Sequence, residues 1–283
     1  MILTTIDQFR AVVPTVAKET EFSELKPYSN SAELWLKNNI LGATLYAYVD
    51  ALGATPAGTD IDLQQLCLNI IGNHAFWDAA PFLDVVLTNA GFGVVNSNNK
   101  APASKERIER LREQCLVRRD NEVENLILFL EQNATYHDNW KGSPVYSVLT
   151  DCLVRTADEM KNYSSWTGTR KDFLLLKPRL IHITKSKLEP VFSKNLIEEL
   201  IESQRDGDLT ADEMTLVDML KHTIGCTIDE NKNIAAALAA DALRFIDENI
   251  ASFPLYTASK EYLARTSEGY INEEDSPIFL SLM

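Results

Sequence analysis

Residues 87–112 read LTNAGFGVVNSNNKAPASKERIERLR, and the placing of this stretch decides how the rest of the chain is parsed. Val85, Val86 and Leu87 come before a short Asn/Gly-bearing segment, Thr88-Asn89-Ala90-Gly91, and Phe92, Val94 and Val95 come after it. β-Branched and aromatic residues on both sides of such a segment predict a small hairpin near 85–96. A polar loop over 96–100 follows, and then Ala101-Pro102-Ala103-Ser104, with Ser104 placed to cap a helix beginning at Lys105. Most of the remaining chain carries helical periodicity. The expected fold is therefore mainly α, one or more helical bundles with a small β-hairpin insertion.

Before the hairpin, Thr4 or Thr5 caps a short helix carrying Ile6, Phe9, Val12 and Val13, which Pro14 interrupts. Residues 31–52 present a wide apolar face, including Leu34, Leu41, Leu45 and Val49, and stop at Gly53. The next helix starts at Thr59 or Asp60 and carries Leu63, Ile70, Ile71 and Phe76 inward. After the hairpin, Ile108, Leu111, Cys115, Val123, Leu126, Ile127 and Leu130 recur at helical spacing, with a charged break over 118–121. Residues 133–144, NATYHDNWKGSP, are polar and contain Gly and Pro, so they read as an interdomain connection. An N-terminal helical domain over 1–135 and a C-terminal one over 145–283 are expected; a chain of this length also permits a single domain. The later helical segments fall at about 145–163, 170–189, 193–204, 210–224 and 232–251. The alanine-rich run over 235–242 calls for close packing against another helix.

Composition narrows the function classes. Hydrophobic residues make up 45% of the 283 and charged residues 24%, an ordinary globular balance. The net charge of −14 repels phosphates, so nucleic acid is not expected as the primary partner. Arg107, Arg110, Arg112, Arg118 and Arg119 form a local basic run, but acidic residues interleave with it as on a solvated helix face. Four cysteines without a CxxC pair suit a reducing compartment. No signal peptide and no membrane span are expected, which makes the cytoplasm the default location.

The sharpest chemical candidate is 202–213, ESQRDGDLTADE. With Gly207 at the sixth position of a calcium loop, Asp206, Asp208, Thr210 and Glu213 fall at positions five, seven, nine and twelve. Glu202 and Gln204, at positions one and three, are longer than a compact site wants. The competing reading is a helix stop at Gly207 and a restart at the capping box Thr210-x-x-Glu213. His74 and Asp78, four apart, share one helix face with Cys67 two turns earlier, a set that could hold a metal or tune an imidazole. Two ligands without a second cluster fall short of a zinc site, and the neighbouring Phe76 and Trp77 mark a buried helix with a structural histidine. His137 sits in the expected connection and reads as a surface residue. The chain has no GxSxG elbow and no GxxxxGK[ST] loop, and Gly91-Phe92-Gly93 is a bare GxG. No cofactor and no catalytic residue are assigned.

The segment DSPIFLSLM, 275–283, is an acidic turn followed by apolar Ile278, Phe279, Leu280 and Leu282. Such a segment can add to a neighbour's sheet edge or fold back on the hairpin around 92–95, since both satisfy the same strand hydrogen bonds. Residues 87–111 resemble the signature of an uncharacterised family from Bacteroides and related prophages, whose genes lie among phage structural genes. The 275–283 segment is similar to endings in that group. The resemblance implies a phage-particle component, a virion structural protein of the head-to-tail connection, and brings no enzymatic residues. The expected function is thus a non-enzymatic structural or assembly protein whose partners are other phage structural proteins or further copies of itself. The rival is a metal-binding module or enzyme built on His74 and Asp78 or on the acidic loop.

Overall fold

Local chemistry sets where helices start and stop in the computed structural model, which describes residues 1–16, 20–83, 85–88, 91–94 and 104–267. The chain divides into two compact units. The first comprises Met1–Asn162 and Trp166–Lys177; the second comprises Tyr163–Ser165 and the residues from Pro178 on. The fold is mainly α. No helix among the described residues is long and apolar enough to cross a membrane.

In the first unit, α1 (Ile6–Val12) opens on a reciprocal capping box between Thr5 and Gln8. α2 (Phe22–Leu36) widens into a π-helical turn, Lys37–Leu41, before α3 (Gly42–Ala51). The Ile40 carbonyl in that turn accepts the indole N–H of Trp140 at 2.6 Å. α4 (Thr59–Ala79) packs against α2 and against α5 (Lys105–Gln132). Leu36, Leu63, Cys67, Ile71, Val123, Leu126 and Leu130 are buried in this core. The charged run over 118–121 does not interrupt α5. Arg119 pairs with Asp120 at 2.6 Å and lies over the Trp35 ring at 4.7 Å, so both charges are matched without breaking the helix. Between α4 and α5, β1 (Val85–Thr88) and β2 (Gly91–Val94) form an antiparallel ladder with Val85 opposite Val94 and Thr88 opposite Gly91. Residues 89–90 and 95–96 of the expected hairpin span lie outside the described residues.

The stretch read as an interdomain connection, 133–144, belongs instead to the first unit. α6 (Ala134–Lys141) buries Tyr136, His137 and Trp140, whose aromatic area outweighs the polar residues between them. α7 (Pro144–Leu149) and α8 (Ala157–Tyr163) follow, and the division of the chain falls later, inside α9 (Arg170–Ile183), before Pro178.

One buried carboxylate closes the first unit. Glu124 on α5 forms an ion pair with Arg170 at the start of α9, each side chain 5% exposed. Its other oxygen accepts the Ala157 N–H at 2.8 Å, at the open start of α8. Glu33 on α2 does similar work for the first residues, accepting the N–H groups of Ile2 and Leu3 at 2.8 and 3.0 Å and the Tyr46 hydroxyl at 2.8 Å.

In the second unit the end of α9 leads into the π-helical turn Thr184–Leu188 and α10 (Glu189–Phe192). α11 (Lys194–Asp206) and α12 (Ala211–Ile228) follow, then α13 (Lys232–Glu248), α14 (Pro254–Thr257) and α15 (Lys260–Thr266). α12 and α13 pack along each other, burying Leu216, Leu220 and Ile224 on α12 and Ala235, Ala242 and Ile246 on α13. The short piece Tyr163–Ser165 is anchored to α12 and its end. The Tyr163 hydroxyl donates to Asp218 at 2.8 Å, and the Ser165 hydroxyl and N–H donate to Asp229 at 2.8 and 2.9 Å. This approach needs glycine at 225, because a Cβ there would sit 1.8 Å from the Tyr163 carbonyl oxygen.

Two stability tests follow from this packing. Glu124→Ala leaves the Arg170 guanidinium buried and unpaired and deprives α8 of an acceptor, so it should lower stability by about 3–5 kcal/mol in urea titration; an unchanged midpoint would refute the role. Gly225→Ala forces backbone apart and should cost about 1–3 kcal/mol. Gly142→Ala, where a Cβ meets nothing within 4 Å, should leave the midpoint where it is.

Candidate functional site

The second unit carries a surface groove of about 750 Å³. Its floor is one stripe of α13. Ala236, Ala239, Ala240 and Leu243 recur at helical spacing and line the groove, while Ala242 and Ile246 are buried in the core. Alanine leaves a shallow trough where larger side chains would fill the space. One wall comes from Leu188 and Val191 and the other from Thr223 and Thr227 on α12. Both threonines donate their hydroxyl protons within their own helix, Thr223 to the Met219 carbonyl at 2.9 Å and Thr227 to the Thr223 carbonyl at 2.8 Å. Their methyl groups therefore count more than their hydroxyls in the wall.

The lining also includes charge. Arg179, Lys187 and Lys232 are exposed, and Glu230 is the one carboxylate among the described lining residues. None of the three cations forms an ion pair among the described residues. Glu230 holds a positive φ of 61° in the turn between α12 and α13, a conformation that costs a non-glycine residue about 1–2 kcal/mol. The result is a largely apolar trough whose lining carries three cations and one described carboxylate, on a chain of net charge −14.

The residues singled out from sequence lie elsewhere in the fold. Over 202–213, α11 ends at Asp206 and Gly207 takes the left-handed cap, its N–H and that of Asp208 both reaching the Ser203 carbonyl. The Glu213 carboxylate accepts the Thr210 N–H and hydroxyl, both at 2.8 Å, completing a capping box at the start of α12. Two of the four candidate calcium ligands, Thr210 and Glu213, are thus engaged with each other. Among the described residues, no group of three or more His, Cys, Asp or Glu stands close enough to hold a metal ion. His137 is buried and hydrogen-bonds through Nε2 to the Tyr146 hydroxyl at 2.7 Å, which corrects its reading as a surface residue. Ile278, Phe279, Leu280 and Leu282 lie outside the described residues.

His74 is buried on α4, with ring contacts to Trp35 at 4.8 Å and Trp77 at 5.7 Å. Arg119 lies over Trp35 and Arg112 over Trp77, so two guanidinium groups flank the aromatic stack. No hydrogen bond joins His74 to Asp78 among the described residues, and His74 Nδ1 is buried without a partner. A second polar cluster, invisible in the sequence, gathers on Asp60, whose carboxylate accepts the hydroxyls of Tyr48 and Tyr136 at 2.8 and 2.7 Å. For Tyr48 the hydrogen bond to Asp60, and for Tyr136 burial, is the main influence raising the phenol above its usual range.

Burial, and secondarily the Arg119 charge, push the His74 imidazole down to about 4. An unfolded histidine titrates near 6.5. The unfolded chain therefore takes up a proton between these values while the folded chain does not. Stability is full above about 6.5 and falls as pH drops toward 4, by roughly 3 kcal/mol from this group. In His74→Phe that contribution should vanish. The difference in unfolding free energy between wild type and variant should be flat above about 6.5 and turn against the wild type below it; a pH-independent difference would show that His74 does not titrate this way.

A family described as a family of unknown function (DUF6712) matches residues 13–149 and 227–266. The match takes in most of the first unit and, in the second, the whole of α13 with its alanine stripe. No curated protein and no solved structure matches the chain. Since the matched residues make up well over half of the sequence, the chain belongs to this family of unknown function, DUF6712.

Proposed function

We propose that this chain is a non-enzymatic structural or assembly protein that works through protein–protein contacts. On the resemblance of residues 87–111 and 275–283, we place it in a phage or prophage particle, at the head-to-tail connection. In the same reading, the ladder between α4 and α5 is a small hairpin inserted into helical bundles.

The groove on α13 is the observation that carries this reading. A trough floored by alanine and leucine binds by excluding water from apolar area, and a cationic edge gives register and orientation to an acidic partner. Helix-in-groove and strand-in-groove recognition both use such a surface. Exposed apolar side chains occur in the first unit as well, with Val148 at 65% and Leu175 at 74% exposure.

Static light scattering tests the proposal. The wild-type chain should associate, alone or with the product of a neighbouring gene. Ala240→Arg, which puts a long charged side chain into the trough at an exposed helix position, should weaken that association about tenfold or more with an unchanged melting temperature. A strict monomer at high concentration that also ignores the neighbouring gene products would overturn the proposal.

A further inference from the structure

The groove asks for an occupant that is apolar over the length of its floor and acidic beside it. One segment of this chain has that composition. Residues 273–283 read EEDSPIFLSLM, with Glu273, Glu274 and Asp275 on one side of Pro277 and five apolar residues on the other. We propose that the groove on α13 takes this segment from a second copy of the chain, joining copies head to tail. This proposal rests on the docking reading given above and names the partner of that same surface.

Three features support the match. The first is charge. Arg179, Lys187 and Lys232 are exposed and without an ion pair among the described residues, so they can meet the three carboxylates of 273–275 without losing an existing partner. The second is length. α13 rises about 10 Å along the floor from Ala236 to Leu243, and an extended strand from 278 to 281 would cover about the same distance. The third is side-chain size. In an extended segment Ile278, Leu280 and Leu282 share one face, and their branched ends fill the space above small residues such as Ala236 and Ala240. A contact between a groove and a segment elsewhere on the chain is heterologous, so it repeats from copy to copy and yields a closed ring or an open filament.

Complementation tests this directly with full-length chains. One variant carries Ala240→Arg, which blocks the groove and leaves the segment intact. The other carries Ile278→Ser, Phe279→Ser and Leu280→Ser, which spoil the segment and leave the groove intact. Each alone should be monomeric by native mass spectrometry, and an equimolar mixture should form a one-to-one complex, the groove coming from one variant and the segment from the other. Lys232→Glu or high salt should weaken wild-type association several-fold, because the rim charges are exposed. If the segment variant associates as the wild type does while the groove variant fails to, the groove binds something else: this inference falls and the docking reading stands. A mixture that stays monomeric overturns the inference. So does a monomeric wild type in which the segment variant alone binds a labelled 273–283 peptide, since the segment then occupies its own groove. Association unchanged by either variant removes the groove from both readings.

Discussion

A carboxylate in an apolar interior is held only if every lone pair it brings finds a donor, and the first unit is arranged around that requirement at Glu124. The guanidinium of Arg170 neutralises one oxygen, and the N–H of Ala157 meets the other. The three groups come from α5, α8 and α9, so one side chain links residues 33 and 46 positions away. The pair gains little over a well-packed apolar substitute, because desolvation takes back most of the Coulomb attraction. Its effect is on specificity, since a packing that separates Glu124 from Arg170 leaves a buried charge unmatched. Glu33 repeats the device, with Ile2, Leu3 and Tyr46 in the place of Arg170 and Ala157.

The second unit follows a different rule, set by side-chain volume. α13 buries Ala235, Ala242 and Ile246, while its other stripe is alanine over two turns before Leu243. Small residues allow close approach on the buried side and leave a trough on the open side. A stripe of leucines there would stand high and present a ridge. The groove is thus a consequence of what α13 lacks, and its position is fixed by the α12 contact beneath it.

Periodicity revealed most of the helical content because apolar residues at three- and four-residue spacing report burial directly. Some caps were legible: Thr5, one of two candidates, caps α1, Thr210 and Glu213 form a reciprocal box, and Gly207 takes the left-handed stop. Ser104 precedes α5 without a side-chain hydrogen bond, and Gly58, not Thr59 or Asp60, holds the N-cap of α4. Residues 133–144 misled because their Asn, Gly and Pro look like a linker, whereas Tyr136 and Trp140 find their partners near residues 60 and 40. A window of a dozen residues carries no signal for such long-range bonds. The groove was half legible. The alanine run indicated a close helix contact, but the groove stripe beside it depends on Leu188, Val191 and Thr223, which only folding brings to it.

Charge distribution connects these observations to assembly. With 27 basic against 41 acidic side chains, two copies repel each other on average. Salt screens that repulsion within about 8–10 Å, so only a local concentration of opposite charge can favour one approach over others. Arg179, Lys187 and Lys232 line one trough, with Glu230 the one carboxylate among the described lining residues. Under the proposed docking, an acidic chain presenting such a site would reject most of its own surface and admit an acidic segment that also carries apolar area. If copies dock as proposed, this background repulsion would act as selectivity, suppressing side-by-side clustering and leaving the oriented contact favoured.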